Sequence, residues 1–318
     1  MDSVPGYCDL ARLGSTNGQA LRWDGFRCDP ERVEYLKALV RERIRQLRDG
    51  GGSDDIKVFI KQEAHKNSKI EEGRFRLISA VSVVDSLVDR MLFEDLADRA
   101  IETACLTPSA VGWSPVRGGY RAVRARFPGR VLCVDKSAWD WTVTGWMVDA
   151  AKELFKRLCI NADEEWLNMV DLRFEELFDR ATFRTPCGAR FEQQDRGLMK
   201  SGCFLTIIMN TVLQVIVHIV ASNRTGEEPG DILAMGDDTV QEVPEKMDEY
   251  LDELRSLGLS LKVKVLDDLV EFAGFEFDMF KCVPSYEDKH RFHLEHLDEE
   301  NAVDTLESYQ FLYAHHPM

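Results

Sequence analysis

The chain has 318 residues, enough for one large domain or for two to three subdomains with a substantial core. With 44% hydrophobic and 30% charged residues, the composition excludes a disordered chain and predicts a folded, soluble one. The formal net charge of −16 argues against nucleic-acid binding unless positive charge is concentrated in part of the chain.

Apolar periodicity and turn residues divide the chain into helices and strands. In chain order they predict a helix from Asp29-Pro30 to Gly50, strands within 58–60 and 75–78, a helix over 85–101, a strand over 131–134, helices over 145–160 and 163–180, a hairpin within 182–192, a helix over 203–221, a hairpin over 232–240, a helix from 244 to 258, a strand over 261–265, and a further strand or hairpin over 271–277. Residues 1–28 show no clear period and predict an irregular lead-in.

Two segments concentrate positive charge. Residues 57–82 are rich in lysine and arginine, and their two predicted strands would place Lys61, Lys69 and Arg76 around a triphosphate. The alternative is a solvated charged loop, because glutamates are interspersed. The second segment, residues 117–130, carries five arginines and no acidic residue, which suits phosphate neutralisation in a nucleic-acid channel or nucleotide-entry path.

The predicted strand over 131–134 delivers a carboxylate, Asp135, at its C-terminal end. A carboxylate at the end of a buried strand is costly unless it is solvated or bound to a cation, so Asp135 is a candidate metal ligand. The alternative is a loop aspartate at a sheet edge.

A glycine-containing loop over 197–202 precedes a long apolar segment, 203–221. We expect the loop to be flexible. The apolar segment meets the length rule for a membrane span, but Thr206, Asn210, Gln214 and His218 recur every four residues and draw a polar stripe along one face. A buried helix that presents polar groups to a site therefore fits better, with His218 a satisfied core histidine.

The hairpin over 232–240 holds Gly236, Asp237 and Asp238 at its corner. Glycine tolerates the backbone conformation of such a corner. Adjacent carboxylates repel each other, so both remain ionised mainly when a cation is present, and clustered oxygen ligands suit Mg²⁺. Asp-Asp is also common in surface turns, so the motif needs support from other motifs.

The last third of the chain offers weaker candidates. In the strand over 261–265, Lys262 and Lys264 lie on one side. His290, His293 and His296 are spaced by three, but no carboxylate or cysteine cluster stands beside them, so we favour a structural role. The eight cysteines lack short paired spacings, which favours reduced thiols over a disulfide framework or a zinc site.

Four of these segments occur in an order that resembles a known family. The stretches DKSAWDWTV, GLMKSGCFLTIIMNT and LAMGDDTV, preceded by residues 57–82, resemble the palm and fingers motifs of RNA-dependent RNA polymerases of positive-strand RNA viruses. The likeness is greatest to the sobemovirus and polerovirus type, and it spans about residues 57 to 280.

The resemblance implies roles for these residues. Asp135, Asp237 and Asp238 would be catalytic and would bind two Mg²⁺ (or Mn²⁺) ions. Lys61, Lys69 and Arg76 would bind the triphosphate of the incoming nucleotide. Asp140 and Asn210, with Ser201 and Thr206 nearby, would sense the ribose 2′-hydroxyl. Gly202 would let the loop before the helix flex against the template. Lys262 and Lys264 are both candidates for the general acid that protonates pyrophosphate.

The resemblance also implies an architecture and a setting. The fold would be α+β, a right hand of fingers, palm and small thumb, with a mostly antiparallel palm sheet backed by helices. Residues 1–128 would be an N-terminal extension and fingers, 129–282 the palm with a fingers insertion at about 160–195, and 283–318 a short thumb or tail. Partners would be a single-stranded RNA template, nascent RNA, nucleoside triphosphates, and a protein primer or other viral replication proteins. We expect the host cytoplasm, in membrane-associated replication complexes, without a transmembrane segment in this chain.

Other functions use some of the same features. The runner-up is a catalytically inactive RNA-binding scaffold of a replication complex. A reverse transcriptase is disfavoured, because Asp140 and Asn210 suit ribose selection and the Met-Gly-Asp-Asp corner differs from the one usual in that class. A metal hydrolase would not need the ribose-sensing pair, and a membrane protein built on 203–221 is the least favoured alternative.

Overall fold

The computed structural model describes residues 1–316, which form two compact units. The first unit consists of residues 1–98 and 140–206, and the second consists of residues 99–139 and the chain from residue 207 onward. The chain therefore passes from one unit to the other three times. Each unit is assembled from segments that are distant in sequence.

The helices and strands have the following bounds. The α-helices are α1 (Asn17–Ala20), α2 (Pro30–Arg48), α3 (Asn67–Glu71), α4 (Val83–Glu102), α5 (Gly119–Arg126), α6 (Trp139–Thr142), α7 (Gly145–Leu158), α8 (Glu164–Phe178), α9 (Thr206–Thr225), α10 (Met247–Ser256), α11 (Glu287–Glu295) and α12 (Ala302–Leu312). The strands are β1 (Ile56–Ile60), β2 (Leu77–Ala80), β3 (Val131–Ser137), β4 (Thr182–Arg184), β5 (Arg190–Glu192), β6 (Ile232–Met235), β7 (Asp238–Glu242), β8 (Ser260–Leu266), β9 (Val270–Phe272), β10 (Phe275–Phe277) and β11 (Cys282–Pro284). Short 3₁₀ helices occupy Asp9–Arg12, Val116–Gly118 and Glu299–Asn301.

Most elements predicted from the sequence are present, with small shifts at their ends. The Asp29 side chain caps α2 by accepting hydrogen bonds from two backbone N–H groups, as the Asp-Pro start predicts. Strand β3 runs past its predicted end to Ser137, because β8 pairs with it as far as Ser260. Helix α9 begins at Thr206 rather than at 203.

The first unit contains a four-stranded sheet in the order β2-β1-β4-β5. Strand β1 is antiparallel to β2 and parallel to β4, so the sheet joins strands more than 120 residues apart in sequence. The N–H of Lys61, just after β1, donates to the carbonyl of Arg76, just before β2, at 2.8 Å. The backbones of two of the three predicted triphosphate-binding residues are therefore adjacent.

Helices α2, α4 and α8 pack together in the first unit around apolar residues such as Val40, Val88 and Met169. Two arginines are buried in this region and neutralised by aspartates. Arg173 pairs with Asp89 at 2.6 Å, and both side chains are at most 1% exposed. Removing one partner of such a buried pair costs several kcal/mol, because the other charge is left buried and unpaired, so the fold requires Arg173 and Asp89 together.

The second unit is built on a four-stranded antiparallel sheet in the order β6-β7-β3-β8. On one face, Val131, Cys133 and Val240 pack with α5 and with β9 and β10. On the other face, Gln241 of β7 meets α9 and α10 through hydrogen bonds with His218 and Tyr250. Helices thus back the sheet, as the α+β prediction requires.

The chain after β8 adds a small antiparallel sheet, β11-β10-β9, and two short helices. Val270, Phe272 and Phe277 of this sheet join the apolar cluster of the main sheet. Helices α11 and α12 bury none of their residues within residues 1–316. The α+β class is confirmed, while the assignment of segments to fingers, palm and thumb remains a prediction.

Candidate active site

The Gly-Asp-Asp corner is a two-residue turn between β6 and β7. Met235 pairs with Asp238, so Gly236 and Asp237 form the turn, and Asp238 is the first residue of β7. Gly236 has a φ of +64°, which an L side chain rarely adopts. Its N–H donates to Thr211 Oγ1 of α9 at 2.8 Å, which ties the turn to the helix behind it.

The strand register places three predicted residues together. Cys133 lies opposite Val240 in the β3–β7 ladder, and continuing this register brings Asp135 opposite Asp238. On its other side Asp135 lies opposite Lys262 of β8. Because side chains alternate along strands, these residues share one face of the sheet with Lys264. We call this the carboxylate face; it comprises Asp135, Asp238, Lys262 and Lys264, with Asp237 in the adjoining turn.

Electrostatics show that the carboxylates are crowded. Asp238 is exposed as a whole residue, but packing around its carboxyl group and the nearby charges of Asp237, Asp135 and Glu271 raise its pKa to about 6. Each neighbouring carboxylate disfavours ionisation of the next. Ionisation of Asp238 is therefore less favourable than for an ordinary aspartate, and a bound cation would relieve this repulsion.

The two candidate general acids have different partners. Lys262 Nζ donates to Asp135 Oδ2 at 2.7 Å, and both side chains are more than half exposed. Lys264 instead pairs with Glu271 of β9, and this hydrogen bond raises the pKa of Lys264. Only Lys262 therefore contacts a predicted catalytic residue directly.

Sequence reasoning missed a third lysine at this site. Lys136 follows Asp135 in β3, so its side chain points to the opposite, helix-covered face and is 4% exposed. Burial lowers its pKa to about 8, although the charges of Asp237, Asp135 and Asp238 oppose the shift. The alternation of side chains along β3 was the available sequence signal, because it places Asp135 and Lys136 on opposite faces of the sheet.

The donor chemistry of the carboxylates fits a hard divalent cation. Asp135, Asp237 and Asp238 supply oxygen ligands, and their mutual repulsion would be relieved by such an ion. Within residues 1–316, no three histidine, cysteine, aspartate or glutamate side chains converge closely enough to hold a metal ion as they stand. Asp135 is engaged with Lys262 instead. A cation at Asp135 would therefore compete with the lysine.

Asn210 is the remaining predicted site residue in the second unit. It lies on α9, is 5% exposed, and accepts a hydrogen bond through Oδ1 from Trp139 Nε1 at 2.9 Å. The indole ring thereby fixes the orientation of the amide. The fourth member of the polar stripe, His218, is a satisfied core histidine, as predicted: its nitrogens lie 2.9 Å from Tyr250 Oη and 3.0 Å from the Gly230 carbonyl.

The first unit brings together the loop residues predicted to bind nucleotide. The Ser201 hydroxyl accepts a hydrogen bond from the N–H of Ser79 at 3.1 Å, and the Gly202 N–H donates to the Ser79 carbonyl at the same distance. The Met199 N–H donates to the carbonyl of Asp140 at 2.8 Å. Asp140 and the loop are therefore joined through the backbone.

Thr206 also belongs to this arrangement. Its hydroxyl donates to the carbonyl of Lys200 at 2.7 Å. At Gly202 a Cβ atom would come within 3.0 Å of the Ser79 carbonyl oxygen, so only glycine fits against β2 without a shift. The expected flexible loop is thus bonded to its neighbours on several sides.

The predicted triphosphate-binding residues are accessible. Lys69 and Arg76 are exposed, and Lys61 is partly exposed with Nζ 3.1 Å from Glu63. The N–H of Arg74 donates to the carbonyl of Lys69 at 2.8 Å, which brings α3 back toward the start of β2. The three residues therefore surround one end of the β1–β2 pair.

The arginines of residues 117–130 have a more structural role than predicted. Arg124 is 7% exposed and donates to the carbonyl of Phe127. Arg126 pairs with Asp231, and Arg130 pairs with Asp267. Arg117, Arg121 and Arg130 remain exposed, so a phosphate-binding role stays a prediction for these three.

Other sequence candidates have ordinary partners. His290 lies 2.8 Å from Tyr313 Oη, and His296 stacks on Phe292 with ring centroids 4.1 Å apart. All eight cysteines are free thiols. In the described part of the chain, α9 is the one helix long and apolar enough to cross a bilayer, and 56% of its most apolar window is buried in the protein, as in the core helix of a globular fold.

Comparison with known proteins connects this geometry to a family. Residues 29–268 match the sequence model of a family described as viral RNA-dependent RNA polymerase. The chain is 30% identical over 292 residues to the RNA-directed RNA polymerase of Mushroom bacilliform virus (isolate Australia/AUS LF-1), which covers 87% of this chain and 68% of that protein.

Two further matches are to longer proteins of plant viruses. The Replicase polyprotein P2AB of Southern bean mosaic virus is 29% identical over 254 residues, covering 73% of this chain and 24% of the polyprotein. Protein P1-P2 of Potato leafroll virus is 29% identical over 242 residues, covering 69% of this chain and 21% of that protein. The chain thus spans about a quarter or less of these longer relatives.

Proposed function

The chain belongs to the viral RNA-dependent RNA polymerase family, and from this premise we propose that it synthesises RNA on an RNA template by two-metal nucleotidyl transfer. The resemblance to the sobemovirus and polerovirus type is confirmed by the matched relatives. The observation that carries the proposed chemistry is the carboxylate face, where the register of β3, β7 and β8 gathers Asp135, Asp238 and Lys262 beside Asp237.

We assign the metal-binding role to Asp135, Asp237 and Asp238. Two Mg²⁺ or Mn²⁺ ions, when bound, would promote ionisation of the attacking 3′-hydroxyl and neutralise charge on the leaving pyrophosphate. The chain's own contribution is rigid placement of the three carboxylates. The turn is fixed to α9 through Gly236, and Asp135 is fixed within the central strand.

Lys262 is the better candidate for the general acid. Its ammonium already lies at Asp135, whereas Lys264 is occupied by Glu271. A general acid must be within reach of the group that it protonates, so the lysine at the carboxylates is favoured. In this role Lys262 Nζ would donate its proton to the departing pyrophosphate oxygen.

The nucleotide-binding roles fall to residues of the first unit and to Asn210. Lys61, Lys69 and Arg76 would bind the triphosphate, which suits their exposure and their positions around one end of the β1–β2 pair. Asp140, Ser201, Thr206 and Asn210 would sense the ribose 2′-hydroxyl. Gly202 would let the loop backbone lie close against β2.

The proposed partners follow from polymerisation. They are a single-stranded RNA template, the nascent RNA and nucleoside triphosphates. A protein primer or other viral replication proteins, and a place in membrane-associated complexes of the host cytoplasm, remain predictions.

Ribonucleotide incorporation tests the proposal. We would measure RNA synthesis on a single-stranded template with Mg²⁺ or Mn²⁺ for the wild type, Asp237→Asn and the control Asp268→Asn, which alters an exposed aspartate outside the carboxylate face. We expect product from the wild type and the control and at least about a thousandfold less from Asp237→Asn, because a lost metal ligand removes several kcal/mol of transition-state stabilisation.

Two other results would count against the proposal. Product that persists in Asp237→Asn would refute the metal assignment. A folded wild type that binds RNA but yields no product on several templates and primers would favour the inactive scaffold.

A further inference from the structure

The 197–203 loop contains a lysine with no contact to solvent. Lys200 is 0% exposed, yet its ammonium has polar partners on every N–H. Its Nζ donates to Gln193 Oε1 at 2.6 Å, to the Leu198 carbonyl at 2.8 Å and to the Gly197 carbonyl at 3.0 Å. An ammonium has three protons, so all three are used.

Aromatic rings complete the surroundings of this ammonium. The ring centroids of Phe178 and Phe183 lie 5.1 and 5.6 Å from Nζ, within the range of a cation–π attraction. No carboxylate forms an ion pair with Lys200 in the described part of the chain. When it is protonated, the ammonium is therefore stabilised by dipoles and aromatic rings and not by an opposite charge.

The bonds of Lys200 converge on a strained backbone. Leu198 has a φ of +57° and Gly197 a φ of +119°. The first value is unfavourable for a leucine, because a left-handed backbone brings Cβ close to the following carbonyl oxygen. Lys200, which immediately precedes Ser201, donates hydrogen bonds to the carbonyls of these two residues. These bonds hold the strained segment against Lys200.

The Gln193 side chain also forms hydrogen bonds that hold the loop in place. The two N–H groups of its Nε2 are shared among the carbonyls of Phe178, Asp195 and Gly197, while its Oε1 accepts from Lys200. The pair connects the end of α8 to the loop. The loop is in turn bonded to Asp140 through Met199 and to β2 through Gly202.

We propose that Lys200 is a positioning residue that fixes the 197–203 loop, so that Ser201 and the backbone of Asp140 are held in the arrangement that distinguishes ribonucleotides from 2′-deoxyribonucleotides. The inference rests on the proposed function for its selectivity, and on the hydrogen bonds of Lys200 for the fixing itself. Lys200 touches neither substrate nor metal in this role.

Hydrogen exchange of the whole chain tests the fixing, and nucleotide selection tests its purpose. We would compare wild type with Lys200→Met, Lys200→Arg and the control Lys37→Met, which removes an exposed lysine of α2. In Lys200→Met we expect exchange of the loop amides to quicken about tenfold or more, since each lost hydrogen bond weakens local order. Lys200→Arg, which keeps the charge and its donors, should recover part of the protection.

The expected effect on activity is specific. In Lys200→Met the preference for ribonucleotides over 2′-deoxyribonucleotides in kcat/KM should fall about tenfold, chiefly through a higher KM for ribonucleotides. A merely structural lysine would lower all activity in proportion to the folded fraction and would leave this ratio unchanged. Equal loop exchange and an equal ratio in Lys200→Met and Lys37→Met would overturn the inference.

A second pair of variants tests the inference if Lys200→Met does not fold. Gln193→Met removes one acceptor of Lys200, and Gln194→Met is the matched control because Gln194 is exposed and its side chain donates to the carbonyl of Glu192. Faster loop exchange and a lower ratio in Gln193→Met alone would support the inference, and no difference would refute it. A wild type without polymerase activity would refute the proposed function, while loop exchange would still decide whether Lys200 fixes the loop.

Discussion

The carboxylate face and the 197–203 loop hold their functional groups in opposite ways. The carboxylate face uses regular antiparallel strands, and its charged side chains are largely exposed and paired with few partners. The loop has irregular backbone with positive φ values, and buried polar side chains bond it from within. Regular hydrogen-bonded strands position side chains without further support, whereas an irregular loop needs dedicated ties.

Glycine substitutions test this contrast most strongly. A Cβ atom at Gly197 would collide with the carbonyl oxygen of Val143, and its φ is +119°, whereas a Cβ at Gly236 would meet nothing within 4 Å. We expect Gly197→Ala to lower the free energy of unfolding by about 3 kcal/mol and Gly236→Ala by about 1 kcal/mol. Chemical denaturation measures both, and similar costs would show that strain alone, not packing of the loop, matters.

Lysine substitutions on the carboxylate face form the next test. We expect Lys262→Met to lower kcat about a hundredfold, because general acid catalysis typically contributes that much, and Lys264→Met to change kcat less than about threefold. Thermal unfolding should hardly change in either variant, since exposed ion pairs add little stability. Steady-state kinetics with one nucleotide varied provides the measurement; a larger loss in Lys264→Met would reassign the general acid.

The smallest of the expected effects is the change with pH in the contribution of Lys200 to folding stability. Burial lowers the pKa of Lys200 to about 7, against 10.5 for an ordinary lysine, although the negative charge of Asp179 opposes the shift. The unfolded chain then binds the proton more tightly than the folded chain between these values, so folding stability attributable to Lys200 rises as pH rises through 7. Relative to Lys200→Met, the wild type should gain about 1 kcal/mol between pH 7 and pH 8.

Thermal unfolding of both proteins in the same buffers measures this difference. A gap between wild type and Lys200→Met that stays constant with pH would show that the ammonium keeps its proton when buried.

The two regions also differ in how far the sequence predicts them. The sequence predicted the hairpin over 232–240 and the strands over 131–134 and 261–265, because period-2 alternation and turn residues are local properties. The helix start at Asp29-Pro30 was predicted for the same reason. The motifs then predicted the family, which the comparisons confirm.

The surroundings of Lys200 were not predictable in this way. Its partners are a glutamine seven residues earlier, two phenylalanines on different elements and the carbonyls of its own loop. No periodicity indicates that a lysine between glycines is buried. The buried pair of Arg173 and Asp89 was equally unpredictable from local patterns, since the two residues lie 84 positions apart in the sequence. Such contacts depend on tertiary packing, which the sequence pattern does not encode locally.

The order in which strands pair has a consequence for synthesis on the ribosome. Strand β3 lies between β7 and β8, and both of these follow it by about 100 residues or more. At roughly 5–20 residues per second, the apolar run of β3 waits about 5 to 20 seconds for its first neighbour to be made. Nascent chains therefore carry an unpaired hydrophobic strand while about 100 further residues are made, and the carboxylate face can form only after β8 has emerged.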